Sequence, residues 1–258
     1  MNKRKIITSL LMVFSASSQV AFASCDGIFS SFTPAALAVV GAADNGGYGL
    51  PMWVAAVDET GKVCSVINTA GSGALIGNQS WLGSRVIAVQ KATAANSFSL
   101  DGFSISTANL YGLTQPGGSL YGLQMSNPVD PAAAYAGSPE TYGTNNDPLI
   151  GKRIGGINVF GGGLSLYKGG RKVGAIGVSG DTSCTDHAVA WKIRQIMGLD
   201  NVPAGFVSGY TPAPGYTVKG DEMIIGSGSV ANTYKQVSCA HNAIKNPTAG
   251  AATGVIIE

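Results

Sequence analysis

The sequence predicts an α+β domain in which an antiparallel sheet built from hairpins is covered by helices. Three observations predict it. The β-rich runs come in adjacent pairs, tight turns join the members of each pair, and helical periodicity separates the pairs. Strands that come as hairpins argue against a parallel, doubly wound sheet, whose strands need long crossovers. The first pair is residues 52–58 and 62–68 around Glu59-Thr60-Gly61, and the second is 164–168 and 171–178 around Gly169-Gly170.

The helices follow in order. Thr33-Pro34 reads as an N-cap with proline at the first helical position, so a short helix is expected over 35–43, stopped by Asn45-Gly46-Gly47. The longest helical pattern covers 79–96, with Leu82, Val86, Val89 and Thr93 at three- and four-residue spacing. A last helix is expected over 184–197, with Val189, Ile193, Ile196 and Met197 on its apolar face and Gly198 as its stop. Ser183 and Asp186 approximate a capping box there. Residues 98–150 hold only short apolar pieces. Within them 127–150, with four prolines, reads as a long surface loop. The domain is expected over 24–198, and the Gly/Pro-rich residues 199–258 as an extension packed on it.

Residues 1–23 read as a cleavable signal peptide. Lys3, Arg4 and Lys5 are followed by an apolar run over 6–14 and an Ala21-Phe22-Ala23 exit. That run is too short to cross a bilayer, which takes about 20 residues. Without it, 13 basic residues stand against 14 acidic ones, a formal charge of −1, and no polybasic patch remains. Nucleic-acid binding is therefore not expected, nor is a membrane span. Apolar residues at 45% with charge at 12% describe a folded chain rather than a disordered one. The expected compartment is the periplasm or the exterior. Four cysteines, Cys25, Cys64, Cys184 and Cys239, are expected to form two disulfides, with all three pairings open. Cys25, two residues past the cut, is alternatively a lipidation site, although Phe22 stands where a lipoprotein signal has Leu.

The common nucleophile and phosphate motifs fail inspection. Gly177-Val178-Ser179-Gly180-Asp181 lacks the second glycine of a nucleophile elbow, and the glycines over 155–163 read as turn glycines. The informative cluster is 180–187, at the start of the last helix. Free backbone N–H groups and the helix dipole there favour an anion such as a carboxylate or propionate, so Asp181, Thr182, Asp186 and His187 are candidate ligand residues. His187 lies three residues after Cys184, and His241, the other histidine, lies two after Cys239. A Cys184–Cys239 bond would bring the two imidazoles together. Three readings follow: a disulfide staple with surface histidines; His187 and His241 facing a ligand as donors to haem iron or another metal; or a structural Cys₂His₂ zinc site. Arg85 and Lys91, six apart on the long helix, are candidate cations for a carboxylate-bearing ligand, or else part of a solvated face. Trp53, Trp81 and Trp191 read as core or subunit contacts rather than a cofactor box.

Val54-Ala-Ala-Val-Asp58 followed by Gly61, then Lys91-Ala-Thr-Ala94, then Gly174-Ala-Ile-Gly-Val-Ser-Gly180 occur in that order. Together these segments resemble the GlcG/HbpS-type haem-binding family, also called the haem-degrading domain family, over about residues 33–198. The resemblance implies a compact α+β domain that assembles into homo-oligomers and binds haem, with peroxide-linked haem degradation in some members. Asp186 matches an acidic position of that pattern, whereas His187 is not part of it. The signal peptide, the 127–150 insertion, Cys184 and the tail mark an exported subgroup. The function expected is an exported binding protein for haem or a small carboxylate-bearing ligand. The alternatives are a haem-degrading or redox enzyme acting on a small hydroxy acid, and a non-catalytic accessory subunit.

Overall fold

Residues Trp53–Asp58 form β1, and all six are buried. A strand with no solvent face must have a neighbour on each edge and a layer on each side. The computed structural model, which describes residues 25, 29–42, 45–210, 217–226, 234–236, 239 and 253–257, supplies both. The proposed signal peptide lies outside the described residues.

β1 pairs antiparallel with β2, Val63–Asn68, and with β4, Arg171–Ser179; β4 pairs with β3, Gly163–Lys168. The order is β2-β1-β4-β3, two hairpins laid side by side. The α+β prediction is met. Alternation along β1 sends Trp53, Ala55 and Val57 to one face, where they pack with Val86, Ala88, Val89, Ala92 and Ala95 of α2, Ser84–Phe98. Val54 and Ala56 face the other way, with Ile176 and Val178 of β4. They meet α1, Phe32–Val40, and α6, Ser183–Ile196. Alanines line the α2 side because that helix lies very close to the sheet. A Cβ on Gly177 of β4 would stand 2.6 Å from the backbone nitrogen of Ala92.

Both hairpins and all three long helices lie where periodicity places them, with shifted ends. α1 begins at Phe32 rather than after Pro34. α2 begins at Ser84 because Ala74–Asn78 is a 3₁₀ turn, and Leu82 is exposed. Its buried face also carries Arg85, Lys91 and Asn96, which an apolar template passes over. The cap of α6 is Thr182, whose side chain accepts from the Thr185 amide, and not Ser183.

Residues 98–150 hold more structure than expected: α3, Thr107–Thr114, α4, Leu123–Ser126, and α5, Pro131–Ala134. α3 opens with a capping box of Ser106 and Asn109. The 127–150 segment is anchored rather than laid loosely on the surface. Arg85 donates from Nε to Asp147 at 3.0 Å, from Nη2 to the other oxygen of the same carboxylate, and from Nη1 to the Ala134 carbonyl at 3.0 Å. The Tyr142 ring covers the guanidinium, 3.7 Å from its carbon to the ring centroid. Just beyond it, Gly151 N–H donates to the Val63 carbonyl of β2 and the Val63 amide donates to Lys152, while Tyr167 N–H of β3 donates to Leu199. The tail adds a short parallel pair, β5, Met223–Ile225, and β6, Val255–Ile257.

Asp147→Ala would strand the buried Arg85 charge. The expected cost is about 3–5 kcal/mol, read as a lower denaturant midpoint; an unchanged midpoint would show that this pair does not anchor the segment.

Candidate functional site

The candidate site is built where β4 runs into α6. Asp181 follows the strand, and its carboxylate accepts from the amides of Tyr48 at 3.0 Å, Leu50 at 3.1 Å and Thr182 at 2.6 Å. Asp186, one turn into α6, accepts from the Asp181 amide at 3.1 Å and from Lys91 Nζ at 2.7 Å. Lys91 also donates to the Val178 carbonyl at 3.0 Å. The N-terminus of α6 is thus furnished with carboxylates from its own chain.

Lys91 and Asp186 are both buried, and they come from helices on opposite faces of the sheet. They meet beside Gly162, whose φ of 116° suits glycine alone. A Cβ there would lie 2.9 Å from Asp186 Cβ and 3.1 Å from Lys91 Nζ. This glycine serves close approach as well as turning, which corrects its reading as a turn glycine only. Burial pushes the Asp186 carboxyl up to about 6, against the opposing pull of Lys91. Burial likewise lowers the Lys91 ammonium, with Asp186 opposing.

His187 is 0% exposed, and among the described residues neither ring nitrogen has a hydrogen-bond partner. The Gly254 backbone lies near the ring without meeting hydrogen-bond geometry. Burial lowers the imidazole pKa to about 3, with Arg194 and Lys91 acting in the same sense and Asp221 and Gly254 opposing. The ring stacks on Trp191, 6.3 Å between centroids. His187 is therefore a neutral, buried imidazole, not a surface group.

Two tail segments cover this stretch of α6. Met223, Ile225 and Val255 pack with Cys184 and Ala188, and Cys184 is bonded to Cys239. Gln236 accepts from the Gly161 amide at 2.6 Å and donates to the Ser183 hydroxyl. Farther along α6, Arg194 donates from both Nη atoms to Asp221, at 2.6 and 3.0 Å, and Ser104 donates to the same carboxylate at 2.7 Å. Both charged groups are fully buried, and Arg194 and Ser104 hold the Asp221 carboxyl below its ordinary range although burial alone would raise it.

Of the residues singled out in the sequence, Lys91, Asp181, Thr182, Asp186 and His187 come together at this end of α6. Arg85 does not. It is buried, its donors serve Asp147 and Ala134, and a propionate could reach it only by displacing Asp147. His241 lies outside the described residues. The Cys₂His₂ zinc arrangement has no thiolates, because Cys184 and Cys239 form one disulfide and Cys25 and Cys64 the other. With its sulfur in that bond, Cys25 has none to carry a lipid. Trp53 and Trp191 are core residues as expected, while Trp81 is 55% exposed. Arg194, Asp221 and Gln236 escaped sequence reasoning; Arg194 lies two helical turns after His187, but nothing local pairs it with Asp221. A cavity of about 160 Å³ lies elsewhere, lined by Leu50, Gly77, Asn78, Gln79, Ser80 and Trp81. It is smaller than the roughly 300 Å³ at which small-molecule sites begin. Among the described residues no helix is long and apolar enough to cross a membrane.

Comparison with known proteins completes the description. Solved structures similar to the chain include PduOC in complex with haem, at 21% identity, with 65% of this chain and 90% of that one covered and a TM-score of 0.44. Protein ORFY of Klebsiella pneumoniae, of the DUF336 family, matches at 21% identity over 72% and 98% of the chains, with a TM-score of 0.46. A double mutant of HbpS from Streptomyces reticuli matches at 17% identity over 74% and 98%, with a TM-score of 0.40. No curated protein matches significantly. The family model described as haem degrading protein HbpS-like matches residues 33–194, from α1 to the last turn of α6, and the chain belongs to that family.

Proposed function

We propose that this protein is exported and binds haem, or a planar ligand of similar chemistry bearing carboxylates, with His187 as the donor to iron. The observation that carries the reading is a fully buried imidazole with no hydrogen-bond partner at either nitrogen among the described residues, in a chain of the HbpS-like family. An unsatisfied buried polar group costs about 1–3 kcal/mol, and such groups call for a functional explanation. A ring held neutral, with its pKa at about 3, is in the form that coordinates a metal. Bound haem would supply an iron centre open to ligand and redox chemistry. The chain's own part is to hold His187 neutral, to screen it from water with α6 and the tail, and to place Lys91 and Asp186 behind it. Two disulfides suit an oxidising compartment. Arg85, committed to the 127–150 segment, is left out of this site; His241 remains a second proposed donor, and a homo-oligomer the proposed assembly.

Titration with haem should shift the Soret band in either the oxidised or the dithiol-treated protein. His187→Ala should weaken binding by about 10- to 100-fold. No shift in either state sinks the haem reading and leaves the accessory-subunit alternative. Bleaching of the Soret band under peroxide, faster than for free haem, would instead favour the enzyme alternative that the family description suggests.

The same imidazole predicts an acid limb in stability. Its folded pKa of about 3 lies below the ordinary imidazole value of 6.5, so the unfolded chain takes up the proton first. The contribution of His187 is therefore complete above 6.5 and is lost as pH falls toward 3. Asp186 acts in the opposite sense: its pKa is raised from 3.8 to about 6, so folding gains as pH falls through that window. Denaturation curves of wild type and His187→Leu should accordingly diverge by about 1.4 kcal/mol per pH unit below 6. Parallel curves would show that the ring is not held neutral.

A further inference from the structure

The Gly254 backbone lies beside the His187 ring, and Met223, Ile225 and Val255 pack on Cys184 and Ala188 to either side of it, which bears on how the proposed site is reached. We propose that β5, Gln236, Cys239 and β6 of the tail form a disulfide-latched cover over His187, opened when the Cys184–Cys239 bond is reduced. The inference rests on the reading of His187 as a ligand donor.

Four observations carry it. First, the imidazole is wholly enclosed yet lacks hydrogen-bond partners among the described residues, so the cover excludes water from it without satisfying it. Most buried polar side-chain atoms have a partner, so an imidazole with two bare nitrogens under a cover calls for an explanation. Second, the cover lies outside the part of the chain that matches the family, which ends at residue 194, whereas β5, Gln236, Cys239 and β6 all follow it. Third, the cover is fastened at two places on one helix. The disulfide holds it at Cys184, and the Arg194–Asp221 pair holds it ten residues on, about 15 Å along the axis at 1.5 Å per residue. His187 lies between them. Fourth, the cover has little strength of its own: its sheet is two strands of three residues, below what is stable independently.

The latch is chemically accessible on one side. Cys184 is buried and Cys239 is partly exposed, so an incoming thiolate would meet Cys239 Sγ. Attack by a dithiol forms a mixed disulfide with Cys239 and releases Cys184 as thiolate. The second thiol of the reductant then closes its own disulfide and frees Cys239. Two electrons and two protons pass to the protein, leaving two cysteine thiols and one oxidised dithiol. The tail is then held without a covalent tie, by Arg194–Asp221, by the hydrogen bonds of Gln236, Ser104 and Asn109, and by the packing of Met223, Ile225 and Val255, and the segment around β5 and β6 can lift from His187.

The test uses the full mature chain and diethyl pyrocarbonate, which acylates accessible neutral imidazole. Acylation is read by mass spectrometry on the peptide carrying His187, so that His241 does not interfere. Oxidised protein, dithiol-treated protein and a Cys184→Ala/Cys239→Ala variant that keeps Cys25–Cys64 are compared. Reduction and the double variant should each accelerate acylation by at least about tenfold, with circular dichroism showing the α/β core retained. Equal rates in the three folded samples overturn the proposal. Asp221→Asn in the oxidised state guards against a double variant that fails to fold. It loosens the other fastening with the latch closed, so His187 should stay within about threefold of wild-type protection. Rapid acylation there would identify the ion pair, not the disulfide, as the latch and would overturn the proposal. Faster acylation on reduction without any haem-dependent Soret shift upholds the cover and removes the haem reading. A Soret shift in oxidised protein, with acylation unchanged by reduction, does the reverse.

Discussion

The Lys91–Asp186 ion pair is the constraint on which the rest of the structure depends. It joins α2 and α6, the helices that cover opposite faces of one sheet, and it also grips β4 through the Val178 carbonyl. A pair buried this deeply is not a source of stability compared with apolar side chains of the same size, because desolvation offsets the attraction. Its effect is on register. Only one rotation of α2 and one of α6 bring ammonium and carboxylate together past Gly162, and any other leaves two unpaired charges out of water. Once that rotation is set, Asp181 faces the Tyr48–Leu50 loop, and His187, one residue beyond Asp186, turns toward the tail.

The second polar pair extends the same logic beyond the domain. Arg194 and Asp221 lie wholly out of solvent, with Ser104 on the carboxylate and Trp191 against the guanidinium, 4.5 Å from its carbon to the ring centroid. The tail therefore docks by recognition of a particular charge and not through apolar area alone. Around it the enclosure is tight: Gly254 sits against the Trp191 ring, where a Cβ would lie 2.9 Å from Cζ3. Among the described residues, both ring nitrogens of His187 lack a hydrogen-bond partner in this neighbourhood, as does Nε of Arg194 two turns on.

What was legible in the sequence is what short-range chemistry determines. Glu59-Thr60-Gly61 and Gly169-Gly170 each make a turn whose type fixes the pairing of its own strands, and the hairpins formed accordingly. α6 was legible from Val189 and Ile193 and from its start after a glycine-rich turn. α3 was not, because its Ser106–Asn109 cap uses Asn where the usual pattern has Glu or Gln, and it spans only eight residues. The pairing of β5 with β6 joins segments about thirty residues apart, which periodicity cannot reveal. The same limit governs the site. The residue pattern placed Asp181, Asp186 and His187 at a helix N-terminus, but it did not show that the two carboxylates accept from the amides of Thr182 and Asp181 just before the helix. Arg85 and Lys91 were recognised as cations of one helix. Their separate partners, Asp147 and Asp186, lie 62 and 95 residues away in the chain, where sequence spacing carries no signal.

The margins of the sheet carry a further consequence. Val63 of β2 exchanges hydrogen bonds with Gly151 and Lys152, and Tyr167 of β3 donates to Leu199, so both outer strands have backbone groups engaged by irregular chain. Cys25 is also bonded into β2 through Cys64. An outer strand with open amides is a template onto which another polypeptide can add. Here Gly151 and Lys152 at Val63, and Leu199 at Tyr167, act as bumpers against that route. A neighbouring molecule would have to strip them away to lengthen the sheet, and side-by-side stacking of strands into fibrils meets the same obstacle.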